Sequence, residues 1–215
     1  MNCMKASRGD ETDVHFEKVG KINEDNNLNN RNMNLNELRD RAYKTACEHG
    51  FHEKELSSDH FLCLVIAELM EAVEADRKGK HADVAGFNEW QMCCSSFSED
   101  TQMRRFKEDF EAYIKDSVED EISDAVIRLL DFAGFREIDL EEINFAGSNT
   151  EYYSEKSFTE SMFCLTRYLT NRHYPDYILS EIFAFCQDRD IDLKWHVEQK
   201  MRYNELRCYK HGKAY

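Results

Sequence analysis

A chain of 215 residues, 41% apolar and 33% charged, can bury one good-sized core or two small ones and falls in the ordinary soluble class. Its formal net charge of -15 argues against nucleic acid or an anionic membrane as resting partner, and a polyanionic small substrate would need a bridging cation. No apolar run approaches the ~18 residues that span a bilayer, and the polar N-terminus has no signal-peptide core, so the cytoplasm is the expected compartment. The 8 cysteines are scattered without a CxxC pair and read as reduced, mostly core thiols. With Pro175 as the single proline and no sustained alternation of apolar and polar residues, the chain is expected to be all-α.

Residues 1–33, ending in an asparagine-rich stretch, read as a mobile polar tail. Asn34 and Glu37 form a capping signature for a first helix from about Leu35 to Glu48, stopped at Gly50. Cys47, His49 and His52 straddle the helix end. They lack a fourth ligand at a zinc-site spacing, and incidental placement is the better reading.

A second helix opens at Ser58 or Asp59 and ends near Lys78, with Leu62, Val65, Ile66, Leu69 and Val73 as its buried stripe. Glu68 and Glu71 sit at the border of that stripe. The stretch from His81 to Asp100 reads as a connection, followed by a helix from about Ser98 whose apolar face is Phe106, Phe110, Tyr113 and Ile114. That helix either runs on or breaks at Lys115–Ser117, where Asp116 with Glu119 offers a new cap; a break is the preferred reading.

From Ser117 to Gly134 the pattern Val118, Ile122, Ala125, Val126, Leu129 and Ala133 marks a further helix with one buried face. Glu121 and Asp124 stand on its edge one turn apart, repeating the geometry of Glu68 and Glu71. Packed side by side, the two helices would converge four carboxylates on one spot. Such a group needs a counter-charge, and oxygen-only ligation selects a hard divalent ion, Mg²⁺ or Mn²⁺ as its substitute. A di-iron site would need Glu-x-x-His pairs, which these helices lack. Glu74, Asp120 and Asp131 are further acids nearby, ranked no higher than surface residues.

The run ELME (Glu68 to Glu71) followed by EISD (Glu121 to Asp124) resembles the ExxE…ExxD signature of the MazG-like all-α nucleoside triphosphate pyrophosphohydrolases, a superfamily with the dimeric dUTPases and phosphoribosyl-ATP pyrophosphohydrolase. The stretches LCLVIAELMEAVEADRKGK and VEDEISDAVIRLLDFAG resemble two of the family's helices over their length. The C-terminal IDLKWHVEQKMRYNELRCYKHGKAY resembles its closing helix, here assigned to residues 191–215. The resemblance implies a MazG-like helical bundle and a homodimer or larger homo-oligomer. It also implies Mg²⁺ held by Glu68, Glu71, Glu121 and Asp124, with water attacking the α-phosphorus of a nucleoside triphosphate. Lys200, Asn204 and Arg207 would then grip its phosphates, and they share one helix face. Without the resemblance they read as a basic helix end complementing the dipole.

Residues 141–190 interrupt the family pattern with a polar loop and two helices, about Phe158 to Thr170 and Tyr174 to Asp188. FREIDL after one amphipathic helix is echoed by DRDIDL after another, and a gap-free slide puts Tyr174 and Tyr177 on Glu121 and Asp124. The insert, within a single domain over 34–215, is thus either a degenerate second helix pair or two unrelated helices sharing a short coincidence. Beside the enzyme stand two other readings: a nucleotide-binding protein with little turnover, and a helical interaction domain whose acids only face water.

Overall fold

The computed structural model describes residues 34–93, 97–140, 151–171 and 174–209. Among the described residues the regular structure is helical and contains no strand. The helices are α1 (Leu35–Glu48), α2 (Ser58–Arg77), α3 (Val84–Cys93), α4 (Glu99–Tyr113), α5 (Val118–Phe135), α6 (Glu151–Ser154), α7 (Phe158–Thr170), α8 (Pro175–Asp188) and α9 (Leu193–Glu205). None of them is long and apolar enough to cross a membrane. The N-terminal tail, Cys94, and His211 to Lys213 lie outside the described residues.

Helix starts follow side-chain chemistry. Asn34, Ser57, Ser117 and Asp192 each accept a backbone N–H from the first turn of α1, α2, α5 and α9. Ser157 and Glu160 close a reciprocal capping box on α7, and α8 opens on Pro175, whose fixed φ suits that place. The cap of α5 differs by one residue from expectation. Asp116 lies at φ 58 and gives its N–H to Asp120 at 2.9 Å, which leaves Ser117 to accept the N–H of Asp120.

α5 is the central helix, with 12 of its residues buried. α2 runs antiparallel to it, and the pair is pinned at both ends: Val118 donates its N–H to the Lys80 carbonyl at 3.0 Å, and Arg136 Nη2 donates to Ser58 Oγ at 2.6 Å. α1 crosses α5 closely enough that a Cβ on Gly134 would stand 2.6 Å from Tyr43 Cβ. α9 packs on α5 as well, α7 packs on α2, and α8 packs on both α5 and α7. One apolar cluster running through Val65, Leu69, Ile122, Leu129, Leu165 and Ile182 joins these helices.

A second, aromatic cluster holds the α3–α4 hairpin on α9. Phe110 stacks on Tyr203 at 4.4 Å between centroids, and Phe87 meets Phe106 and Trp195 edge to face. α3 occupies part of the stretch read from sequence as a connection. It buries Phe87 alone, so it carries no helical period, and the aromatic cluster holds it in place. Likewise α6 forms one turn inside the expected polar loop, of which 141–150 lie outside the described residues. The thiols differ from expectation too. Cys47, Cys63, Cys93 and Cys208 are exposed, and Cys164 and Cys186 are buried, all free.

Candidate functional site

Pinned antiparallel, α2 and α5 bring the middle of one against the first turns of the other. Glu68 and Glu71 from α2 and Glu121 from α5 each offer a carboxylate oxygen, and these oxygens lie within 4.8 Å of one another. Glu68 is 5% and Glu121 6% exposed, whereas Glu71 faces solvent. Burial raises the Glu121 carboxyl to about 8, reinforced by the charges of Asp124, Asp120 and Glu71 and opposed by Lys200. Burial, then Asp124, also raises Glu68, against the pull of Arg128, whose Nε sits 3.1 Å from Glu68 Oε1. Carboxylates this close resist common ionisation. An all-oxygen donor set of this kind fits a hard divalent cation, which would restore the charged forms.

Asp124 takes a different place. Lys200, 3% exposed, puts its Nζ 2.8 Å from Asp124 Oδ2 and 2.7 Å from Asp120 Oδ1. Burial favours the neutral form of Asp124. The Lys200 charge and hydrogen bond, with Arg128 and Asn204, outweigh that and hold it below the ordinary carboxylate range. Asp120, 1% exposed, is raised to about 6 because its burial outweighs Lys200. The aromatic cluster shields this bridge, with the Phe110 centroid 5.6 Å from Lys200 Nζ. Lys200 thus sits inside the carboxylate group as a counter-charge, away from any open phosphate-binding surface.

Asn204 and Arg207 line a cleft between α1, α5 and α9, together with Phe51, Asp124, Arg128 and Asp131. Its volume of about 60 Å³ holds a few waters, so a nucleotide would occupy its mouth or part its walls. Arg207 Nη1 reaches Asn204 Oδ1 at 3.5 Å, a long contact, and Arg128 lies over the Phe51 ring. His52 turns inward, its Nε2 2.7 Å from Asp131 Oδ1, and stacks on Phe61 and Phe135. Cys47, His49 and His52 do not form a metal-holding group.

Asp116, Asp120 and Glu121 form a second group of oxygens within 4.8 Å, so Glu121 stands at the junction of two acidic sets. Glu74 is surface, paired with Arg77 and Lys78. Sequence reasoning ranked Asp120 and Asp131 too low and overlooked Arg128. Arg128 was recoverable, since it follows Glu121 by two turns and Asp124 by one on the same face of α5. No family model matches the chain, nor does any curated protein or solved structure, so function has to be read from this geometry.

Proposed function

We propose that the protein is a Mg²⁺-dependent nucleoside triphosphate pyrophosphohydrolase of MazG-like fold, releasing a nucleoside monophosphate and pyrophosphate. The observation that carries this reading is the meeting of Glu68, Glu71 and Glu121 oxygens within 4.8 Å on two antiparallel helices beside an arginine-lined cleft. The resemblance of ELME and EISD to the family signature supports it.

Bound at these carboxylates, a hard divalent ion, Mg²⁺ or Mn²⁺, supplies charge neutralisation for the triphosphate. The chain's own residues do the rest. Arg128 and Arg207 present planar guanidinium groups to phosphate oxygens from the walls of the cleft, and Asn204 adds a neutral donor. Glu71, the solvent-facing carboxylate of the three, would orient a water for attack on phosphorus. Lys200 keeps Asp124 and Asp120 charged and fixed, so that the wall behind the carboxylates holds its shape.

A screen for pyrophosphate release across ribo- and deoxyribonucleoside triphosphates tests the reading. Release should require Mg²⁺ or Mn²⁺ and fall at least ~100-fold in Glu121→Gln and Glu71→Gln, with the fold intact by circular dichroism. No release from any triphosphate by the parent protein, or unchanged rates in both variants, would refute it. A nucleotide-binding protein with little turnover is the second reading, favoured by the diversion of Asp124 to Lys200. It predicts Mg²⁺-dependent nucleotide binding without pyrophosphate release.

A further inference from the structure

α5 forms one wall of the cleft and sets an order along it. Asp124, Arg128 and Asp131 line the cleft from successive turns of one helix face. At 1.5 Å per residue, Asp131 stands about 10 Å beyond Asp124 and about 15 Å beyond Glu121 along the helix axis. A triphosphate held at the carboxylate end can lay its sugar and base along α5, with one edge of the base at Asp131. The lining there is otherwise mostly apolar, from Ala42, Ala46, Ile127 and Met201, which suits the faces of a flat ring.

Asp131 is held rigidly and only half used. It is 6% exposed, and its Oδ1 lies 2.7 Å from His52 Nε2. A carboxylate can only accept, so Nε2 carries the proton and donates; Nδ1 of the same ring has no partner among the described residues. The imidazole is fixed in turn, stacked on Phe61 and Phe135 at 5.6 and 5.4 Å and meeting Tyr43 edge to face at 4.9 Å. Among the described residues Asp131 accepts no other hydrogen bond, which leaves Oδ2 as an unfilled acceptor in the lining of the cleft. Burial raises this carboxyl against the hydrogen bond and charge of His52 and the charge of Arg128, so a further donor would relieve it.

The walls can part to admit a ring. Contacts that join α1 and the residues after it to α9 and the residues after it include polar, partly exposed ones: Arg41 to Glu198 and to Glu205 at 2.6 Å each, and the Tyr209 hydroxyl to Glu53. Contacts of this kind exchange for water at little cost.

We propose that Asp131, positioned by His52, reads the base: its free oxygen accepts an exocyclic amino N–H, so the cleft takes cytosine or adenine nucleotides and rejects their oxo counterparts, uracil and hypoxanthine. An oxo group would set its lone pairs against the carboxylate and leave a buried charge without a donor. The inference rests on the nucleotide reading of the cleft and goes beyond it by naming the class of base.

The test measures Kd by calorimetry with Mg²⁺ for α,β-methylene analogues of CTP and UTP, and of ATP and ITP, two pairs that each exchange an amino group for an oxo group. The amino member should bind at least ~10-fold tighter. Asp131→Asn keeps an oxygen for the His52 N–H and turns an amide N–H toward the cleft, so it should abolish or invert that preference, a change that a merely structural role would not produce. Equal Kd values within the pairs, tighter binding of the oxo members, or an unchanged preference in folded Asp131→Asn protein would overturn the inference. If that variant does not fold, the ratios of the parent protein decide. A parent that binds none of the four refutes the nucleotide reading and this inference with it. One that releases pyrophosphate equally from CTP and UTP, and from ATP and ITP, keeps that reading and overturns the base selection alone.

Discussion

At Glu121, a cation bound as proposed would compete with a proton for one carboxylate. Burial, with the charges of Asp124 and Asp120, pushes this group up to about 8, so below that pH a cation must displace a proton to bind. Apparent Mg²⁺ affinity should therefore rise about tenfold per pH unit between pH 6 and 8 and level off above, in titrations followed by thermal shift. Glu121→Gln should weaken binding and flatten that slope. His196 provides an acid-sensitive point elsewhere. It is 5% exposed with Nδ1 unpartnered, and burial lowers it from 6.5 to about 4 despite the charges of Glu119 and Asp192. Between those values the unfolded chain takes a proton that the folded chain refuses, so stability falls as pH falls. Urea midpoints at pH 7 and pH 5 should register a loss of about 2 kcal/mol from this residue. His196→Leu should remove that component.

Individual helices were legible where their ends and stripes are local. α1, α2, α7 and α8 begin and end within a residue or so of expectation because Asn34, Ser57, Ser157, Pro175 and the glycines at 50 and 79 act on neighbouring backbone. α3 was not legible, since what holds it is Phe87 reaching Phe106 and Trp195, partners distant in sequence. The crossing of α1 over α5 is another long-range matter. Gly134 leaves the space that Tyr43 enters, and Gly134→Ala would place a methyl 2.6 Å from Tyr43 Cβ. Either the helices separate or Tyr43 is displaced, at a cost of about 1–3 kcal/mol in denaturant unfolding, although alanine is the better helix former. A stabilised variant would show that α1 can shift freely.

On the scale of the whole molecule, the candidate site was half legible. Glu68, Glu71 and Glu121 announced themselves by paired spacing on two amphipathic stretches, and antiparallel packing brings them together. Asp124 has the same spacing, yet its neighbour is decided by where α9 lands. The buried Lys200 reaches Asp124 and Asp120 from far along the chain, which no local pattern encodes. The same nonlocality explains why Lys200, Asn204 and Arg207 share a face as expected while only the last two line the cleft.

The pins that close the two ends of α2 and α5 also make a gauge. With Val118 bonded to Lys80 at one end, Arg136 to Ser58 at the other and the apolar cluster packed between, the backbones that carry Glu68, Glu71 and Glu121 keep a set spacing. A gap of fixed width sorts ions by radius. Mg²⁺ sits about 2.0–2.1 Å from its oxygens and Ca²⁺ about 2.3–2.6 Å with more ligands, so the smaller ion should bind the tighter. Calorimetry should show Mg²⁺ or Mn²⁺ favoured over Ca²⁺.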